Sequence, residues 1–492
     1  MLTRITGGHV LDPANGVNRV QDLFIRDDRV VASPGAAGDG PSAGMDAASL
    51  TIDARDCVIM AGGIDIHSHI GGGKATLARL LTSDVNQDQP GKEAFLPTAS
   101  RTAQRYLDMG YTAAFEPAVL PCNARAAHAE MRDVAGLDTG GYCLLGNDDV
   151  LLSMIADGID QSVINDYVAW MVRATQAIAV KVVNPGGISA FKFETREFDV
   201  DTPHPKYGVT PAQLIRTLCE ATQAIGLTHP LHVHCSNLGV PGNIRSTLKT
   251  IEAAQGLPIH LTHVQFHCYG ANGVLGMSSA SEQLVAALDR HPNVTIDVGQ
   301  VMFGQTVTIS ADTMHQHANF RLADPKKSIL VDVECEAGCG VVPFRYRHRQ
   351  YVHSLQWAIG LELFLMVDDP SRVFLTTDHP NGAPFTAYPH LIRLLCDRSF
   401  RATALAEIHR DAAAASQLGG LDREYSLEQI AVMTRSAPAR ILGLRNLGHL
   451  GPGAVADLVV YRNQADRQRM FERPEWVLRR GNVVRRPTAE FD

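Results

Sequence analysis

The sequence predicts an α/β fold, in which a (β/α)8 barrel carries a small β-sandwich domain formed by the N- and C-terminal segments. The first observation is length, since 492 residues exceed one simple core and fit a large catalytic domain with an accessory one. The second is a series of eight short apolar segments that alternate with amphipathic stretches, as parallel strands and crossover helices do. The third is the occurrence of short strand-like segments at both ends of the chain.

The two ends of the chain are predicted to build the β-sandwich domain together, residues 1–58 supplying one part and residues 441–492 the other. Apolar and polar residues alternate in short pieces near the N-terminus, as in Leu23–Arg26, which is typical of small antiparallel strands. A Gly-, Ala- and Pro-rich stretch at 33–48 has neither strand nor helix periodicity and is interpreted as a loop. The apolar segment 456–461 follows a glycine-rich turn, and we expect it to return to the N-terminal β-layer.

Residues 59–440 are predicted to form the barrel. The eight candidate strands lie, in chain order, at 64–70, 112–115, 142–145, 179–183, 231–234, 260–264, 294–298 and 373–377. Amphipathic stretches between them supply the outer ring, such as 211–225 with its apolar residues at helical spacing. Because the catalytic face of such a barrel lies at the C-terminal ends of its strands, reactive residues are expected there.

Composition and charge favour a globular enzyme without nucleic-acid or membrane partners. A net charge of −8 gives no general attraction to phosphate backbones, and the basic runs at 345–349 and 479–486 are interpreted as solvated surface. No segment has the continuous apolar run that a bilayer span needs. An N-terminus without a secretory pattern, and nine cysteines without a CxxC pair, predict a cytoplasmic protein. Cys335 and Cys339 have an unusual spacing for zinc and are expected to be structural.

A first pair of candidate metal ligands ends the first predicted strand. His67 and His69 lie two residues apart, so both imidazoles project to one face and can reach one point. The pair alone is weak evidence, because histidines also satisfy hydrogen bonds in a core. The glycine run 71–73 lacks the other residues of a phosphate-binding loop and is interpreted as a tight bend. Another pair, His315 and His317, lies in a polar stretch and is interpreted as part of a loop.

Two further pairs end the fifth and sixth predicted strands. His234 is preferred to His232 because it lies nearer the C-terminal mouth, and His232 is expected to make a core or supporting contact. His260 and His263 face opposite ways on a regular strand, so only one of them should enter the site. We expect His263 to be that residue, because it is closer to the mouth.

Lys181 lies inside the apolar fourth strand, and Asp378 follows the eighth. A buried lysine usually loses its charge, because desolvating the ammonium is costly. The neutral amine can add carbon dioxide and become a carbamate whose oxygens bridge two cations; pairing with a buried carboxylate is the alternative. Imidazole and carboxylate ligands at this density favour zinc or another divalent transition metal. The predicted ligands are His67, His69, Lys181, His234, His263 and Asp378.

Five motifs resemble one branch of the amidohydrolase superfamily. They are KVVNPGG at 181–187, HCSNLG at 234–239, THVQFH at 262–267, DVGQ at 297–300 and TDHPNG at 377–382. The chain resembles the A subunit of formylmethanofuran dehydrogenase and equally the alpha subunit of the bacterial formyltransferase/hydrolase complex. The region after the last motif is shorter in this chain than in the archaeal subunits, which favours the bacterial complex. The resemblance spans nearly the whole barrel and implies an amidohydrolase-type fold.

The resemblance also implies a reaction. It implies two Zn²⁺ ions held by the six ligands, with Lys181 carboxylated and Asp378 acting as ligand and proton shuttle. The substrate would be the N-formyl amide of a furan-type C1 carrier, such as formylmethanofuran or formylmethylofuran, cleaved to formate and free amine or made by the reverse condensation. The partners would be the other subunits of the complex. Four residues are candidates for substrate contact or for support of the metal ligands: Asn184, His267, Gln300 and His379.

Two alternatives remain open from sequence. A cyclic-amide hydrolase of the dihydroorotase or hydantoinase type would share the whole metal site and differ in substrate. A non-catalytic scaffold subunit would keep the barrel, but such a protein is expected to lack ligands, and here every expected ligand type is present.

Overall fold

The computed structural model describes residues 1–32, 48–83, 94, 96–193, 195, 197–309 and 342–487. Four residues interpreted from sequence lie outside these ranges, namely His315, His317, Cys335 and Cys339, as does almost all of the predicted loop at 33–48.

Eight parallel strands form the central sheet, and each pairs with its neighbours in chain order. These barrel strands 1 to 8 are Gly63–Asp65, Tyr111–Val119, Asp138–Leu144, Ala179–Val183, Leu231–His234, Ile259–Leu261, Val294–Asp297 and Val373–Phe374. Just beyond strands 1 and 8, Ser68 bridges to His379, and the backbone N–H of His69 donates to the carbonyl of His379 at 2.8 Å. The sheet therefore closes at its C-terminal edge, and the predicted barrel is confirmed.

Helices follow the barrel strands and pack around the sheet. Those between the barrel strands are Gly73–Leu81, Ala99–Asp108, Ala124–Arg132, Asp149–Ala156, Gln161–Ala174, Gly187–Phe191, Pro211–Ala224, Ile244–Ala253, Ser281–Arg290 and Tyr351–Met366. Those after strand 8 are Tyr388–Cys396, Arg398–Glu407, Arg410–Ala414, Leu427–Ala431, Ala437–Ile441 and Arg467–Glu472. Within the described ranges, no helix is long and apolar enough to cross a bilayer.

The predicted helix at 211–225 shows why such a segment forms. Thr210 accepts a hydrogen bond from the backbone of Gln213, and the Gln213 side chain accepts one from the backbone of Thr210, which makes a reciprocal capping box. Pro211 occupies the first turn, where its missing N–H costs nothing. The apolar residues of this helix are buried against the sheet, at positions Leu214, Ile215, Leu218 and Ala221.

The two ends of the chain meet in a pair of sheets. The four-stranded sheet contains, in spatial order, Arg29–Val31, Leu23–Arg26, Leu2–Thr6 and Leu50–Asp53. The six-stranded sheet contains Asn482–Arg485, Trp476–Arg479, Leu458–Arg462, Cys57–Ala61, His9–Asp12 and Val17–Val20. Buried residues of both sheets, such as Ile25, Ile59 and Leu458, share one apolar cluster. The N- and C-terminal strands therefore combine in one small domain, which is the sandwich predicted from sequence.

Arg479 joins this small domain to the barrel. The sequence places it in a basic run interpreted as solvated surface, but its side chain is only 10% exposed. Its guanidinium binds Asp457 and donates to Asp138 Oδ1 at 3.0 Å, where Asp138 begins barrel strand 3. The interpretation of this residue as solvated surface is therefore wrong, because two carboxylates from separate domains lie on either side of it.

Replacing Arg479 by alanine is expected to lower the free energy of unfolding by about 3–5 kcal/mol, because it leaves the buried Asp457 carboxylate without its cation. The matched control is Arg480→Ala: Arg480 also binds Asp138 but is 64% exposed, so its loss should cost only about 0–1 kcal/mol. Urea denaturation of both variants measures the difference. Equal losses would contradict the assignment of Arg479 as the link between domains.

Candidate metal centre

The first histidine pair lies immediately after barrel strand 1. His67 and His69 are both buried, at 0% and 5% exposure. The backbone N–H of His67 donates to Asp65 Oδ1 at 3.0 Å, and Asp65 in turn accepts hydrogen bonds from the hydroxyls of Tyr106 and Tyr388. Asp65, which holds the backbone of His67, is thus fixed by one hydroxyl from the helix Ala99–Asp108, after strand 1, and one from the helix Tyr388–Cys396, after strand 8.

Asp378 brings its carboxylate to both of these imidazoles. Its Oδ1 lies 3.0 Å from His67 Nε2 and 3.6 Å from His69 Nε2. Asp378 adopts a left-handed backbone (φ 49°), and Asn381 Nδ2 donates to its Oδ1 at 3.0 Å. Nitrogen and oxygen atoms of the two histidines and Asp378 lie within 4.8 Å of one another, close enough to hold one ion.

Lys181 reaches the same point from barrel strand 4. Its side chain is buried at 2% exposure, and its Nζ lies 3.5 Å from His67 Nε2. That nitrogen is also the one that Asp378 approaches, so Lys181 and Asp378 flank one imidazole although they are far apart in sequence. Lys181 therefore faces into the barrel mouth, where the sequence predicts it.

A second group consists of histidines alone. One ring nitrogen from each of His234, His263 and His267 lies within 4.8 Å of the others, and all three residues are buried. The lack of a side chain at Gly299 lets its backbone pass close to His263 and Asp378. A Cβ there would collide with the Cβ of His263 and would stand 3.3 Å from that of Asp378.

His260 and His263 both face the barrel interior, but of the two only His263 joins a group of candidate metal ligands in the described part of the chain. Barrel strand 6 ends at Leu261, and His263 adopts φ 37° and ψ 46°, which breaks the strand alternation on which the expectation rested. His260 lies one layer lower, where its Nε2 is 3.1 Å from Asp297 Oδ2. His232 also lies in this lower layer, with its Nε2 3.1 Å from His67 Nδ1, as the sequence predicts.

Asp297 supports the site from below and has no role predicted from sequence. Its Oδ1 accepts from the backbone of His263 at 2.7 Å and from the Thr376 hydroxyl at 3.1 Å, while its Oδ2 lies 3.2 Å from His67 Nδ1. Its position as the last residue of barrel strand 7, inside the DVGQ motif, was the available signal. A carboxylate on Nδ1 orients the imidazole so that Nε2 faces the mouth.

Glu116 supports His69 in the same way. Its Oε1 lies 2.8 Å from His69 Nδ1, and the carboxylate also accepts from the backbone of Gly71 and Ala118, both at 3.2 Å. Both members of the first pair thus have a buried carboxylate on Nδ1 and an Nε2 that faces Asp378. This is the arrangement by which proteins set the tautomer of metal-binding histidines.

The charge states of His263 and Asp378 suit cation binding. Burial and Lys181 oppose a charge on His67, but Asp297 and Asp378 outweigh them and raise its pKa, so a cation at this imidazole would replace a proton. Burial lowers the pKa of His263 well below its ordinary value, and the neighbouring histidines lower it further, so its ring is neutral at neutral pH. Burial raises the pKa of Asp378, but His67, His69 and Lys181 outweigh it, so the pKa lies below the ordinary value and the carboxyl is ionised. Neutral imidazoles and ionised carboxylates are the forms that bind metals.

The four candidates for substrate contact occupy different settings. His267 belongs to the three-histidine group. Asn184 has φ 41° and donates its backbone N–H to the carbonyl of His234 at 3.0 Å. Gln300 Nε2 donates to the backbone carbonyls of Val301 and Trp357 at 2.8 and 3.1 Å, and His379 Nδ1 accepts from the backbone of Phe385 at 3.3 Å. Gln300 and His379 thus hold backbone in place.

These residues could hold a divalent metal ion. His263 Nδ1 is buried and has no hydrogen-bond partner in the described part of the chain. Burying a polar atom without a partner is costly, so a site that contains such an atom needs a ligand or an ion to complete it. The described residues contain three convergent groups of donors, two at the mouth and a third, His67, His232 and Asp297, in the layer below. The two at the mouth, with Lys181 beside the first, have the chemistry that zinc and related metals prefer.

Comparison with known proteins identifies the family. A model described as the amidohydrolase family matches residues 50–485, which is most of the chain. The chain belongs to the amidohydrolase family. Among amidohydrolase relatives, it is 45% identical to the A component of the formyltransferase/hydrolase complex Fhc of Methylorubrum extorquens, over 98% of this chain and 88% of the relative. It is 35% identical to Protein FwdA of Methanocaldococcus jannaschii, over 98% of this chain and 87% of the relative.

A solved structure of this amidohydrolase branch has the same fold. It is a chain in the crystal structure of the formyltransferase/hydrolase complex FhcABCD from Methylorubrum extorquens, determined in complex with methylofuran. The TM-score is 0.91 at 44% identity, covering 99% of this chain and 88% of that one. The branch predicted from the five motifs is thus confirmed.

Proposed function

We propose that this chain is the hydrolytic alpha subunit of a formyltransferase/hydrolase complex and cleaves the N-formyl amide of a furan-type C1 carrier to formate and free amine. The observation that supports the proposal is the proximity of the six predicted ligand side chains, in a chain 45% identical to the Fhc relative of Methylorubrum extorquens. The two groups adjoin, since the ring centroids of His67 and His263 are 5.5 Å apart. Reverse condensation at the same site follows from microscopic reversibility. The greater identity to the bacterial relative, 45% against 35%, supports the bacterial type of complex.

Two zinc ions are the proposed cofactors. His67, His69 and Asp378 would hold one and His234 and His263 the other, with a carboxylated Lys181 between them. Bound there, the ions would supply hydroxide near neutral pH and polarise the formyl carbonyl. The position of the Lys181 amine beside a histidine nitrogen supports the carbamate, because an ammonium in that buried place would oppose cation binding.

Asp378 is proposed to move the proton. Amide cleavage requires a base that removes a proton from the attacking water and an acid that protonates the departing amine, and one carboxylate can do both in turn. Asp378 is ionised at neutral pH and lies at the mouth, and its hydrogen bond from Asn381 fixes the carboxylate plane. The proton that Asp378 takes from the attacking water can then pass to the departing amine.

Substrate contact is proposed for Asn184, whose buried Oδ1 has no hydrogen-bond partner within the described ranges. Gln300 and His379 are proposed to act indirectly, since their side chains hold backbone beside the Asp378 loop. The carrier is proposed to be of the methylofuran type, in keeping with the methylofuran in the complex of the 44% identical relative.

The partners are proposed to be the other subunits of such a complex, which would supply the formyl-transfer step. A cytoplasmic location is proposed as well. None of the seven cysteines in the described part of the chain forms a disulfide, and five of them are buried, which suits a reducing compartment.

The proposed function is tested by incubating the complex, purified with its natural partner subunits, with N-formylated methylofuran and measuring formate. We expect stoichiometric formate, and no ring opening of dihydroorotate or hydantoin under the same conditions. Ring opening without formate release would favour the cyclic-amide hydrolase. No turnover of any of these substrates by a metal-loaded complex would favour a scaffold.

A further inference from the structure

We propose that His267 is a third imidazole ligand of the second cation, so that His234, His263 and His267 form a three-histidine site beside the mixed site of His67, His69 and Asp378. This inference rests on the two-metal part of the proposed function. It replaces the role of substrate contact that the sequence predicts for His267.

The geometry of the three rings supports a shared ion. The centroid of the His234 ring lies 4.5 Å from that of His263 and 5.0 Å from that of His267, and the His263 and His267 centroids are 5.3 Å apart. A ring nitrogen from each lies within 4.8 Å of the other two, as do the donor atoms of the first group. Together with the proposed carbamate of Lys181, the three imidazoles would supply four donors, the number that zinc commonly takes in proteins.

The local backbone explains how His267 reaches this point. Barrel strand 6 ends at Leu261, and the left-handed conformation of His263 starts the 3-10 turn Val264–His267. The turn brings the fourth residue after His263 back to the same side of the barrel. Its end is fixed from outside, because the hydroxyl of Thr247 donates to the carbonyl of His267 at 2.7 Å.

Burial supports the assignment independently. The exposed fractions of His234, His263 and His267 are 5%, 2% and 0%. Buried polar side chains are almost always hydrogen-bonded or coordinated, yet His263 Nδ1 has no hydrogen-bond partner in the described part of the chain. A cation shared by the three rings would give the His263 ring a partner.

The two sites would then differ in donor chemistry. The second site would hold three imidazoles beside the proposed carbamate, and imidazole favours zinc, copper, iron or nickel. The first site would add the Asp378 carboxylate, an oxygen ligand that also accepts harder ions such as manganese or magnesium. The second site should therefore be the more selective of the two for zinc over manganese. Competition between these ions in the wild-type complex should displace zinc from the mixed site first.

The test is the metal content of a His267→Gln variant of the full chain, purified with its partners, loaded with zinc chloride and desalted. We expect two zinc equivalents per chain in the wild type and one in the variant. His204→Gln is the matched control, since His204 is also a buried histidine, contacts Tyr207 and belongs to neither group. It should retain two equivalents. His267→Asp restores a ligand atom and should regain the second zinc, which separates loss of coordination from misfolding.

Two zinc equivalents in His267→Gln, with only a raised KM, would overturn the inference and return His267 to substrate contact. The failure of the proposed function has a different signature: a wild-type complex that binds two zinc ions but releases no formate leaves the three-histidine site intact. Cobalt-substituted protein gives a second readout, since removal of one imidazole should change the visible absorption of one bound ion.

Discussion

Replacing Asp378 by asparagine is expected to lower kcat by about 10²–10⁴-fold while both metal ions remain bound. Asparagine has nearly the same shape, keeps one oxygen towards His67 and tolerates the left-handed backbone at this position. It can still accept the hydrogen bond from Asn381. What it cannot do is take a proton from water, so binding and proton transfer are separated in one variant.

Steady-state kinetics and metal analysis of the same preparation check this expectation. Asp369→Asn is the matched control: Asp369 is exposed, caps a turn before barrel strand 8, and should be replaceable without change in kcat. Full activity in Asp378→Asn would refute the assignment of Asp378 as proton shuttle. Loss of one metal together with activity would leave Asp378 as a ligand only.

Replacing Lys181 by methionine is expected to lower kcat by about 10³-fold or more, since a metal bridge supplies several kcal/mol of transition-state stabilisation. Methionine fills the buried space on barrel strand 4 but cannot form a carbamate. The fold should persist, because the flexible, unbranched side chain of methionine occupies nearly the same space as that of lysine and adds no buried charge.

The carbamate itself is tested by reconstitution. Metal-free wild-type complex should regain activity with zinc only when bicarbonate is present, because the lysine must add carbon dioxide before it can bridge. A Lys181→Glu variant carries a carboxylate from the start, so whatever activity it regains should not depend on bicarbonate. Equal recovery of the wild type in buffer free of carbon dioxide would show that Lys181 is not carboxylated.

Much of the fold follows from sequence because its signals are local. Eight apolar segments are all present as barrel strands in the expected order, and the strands at Ala179–Val183 and Leu231–His234 have the predicted bounds. Strands 2 and 3 begin earlier than expected, at Tyr111 and Asp138. Strands 1 and 8 end earlier than expected, at Asp65 and Phe374, because the chain leaves the sheet there to build the mouth. His67, His69 and Asp378 therefore lie on the segments that follow the strands.

The features that could not be predicted from sequence are those that depend on contacts between residues far apart in the chain. Strand alternation separates His260 from His263, but the layer in which each side chain lies depends on the positive φ of His263, which the sequence does not show. In the sequence, Asp297 is only an aspartate at the end of a predicted strand. Its supporting role depends on its contacts with His67 and His260. The basic run around Arg479 predicts an exposed side chain, whereas in the structure Asp457 and Asp138 bind its guanidinium.

The central claim is that one pair of cations is held by side chains that converge from separate barrel strands, with a carboxylated lysine between them. Crystals of the complex grown with zinc, measured above and below the zinc absorption edge, test it directly. We expect two anomalous peaks at the barrel mouth and additional density joined to Lys181 Nζ. A mouth without anomalous signal, or a bare lysine amine paired with a carboxylate, would contradict the claim.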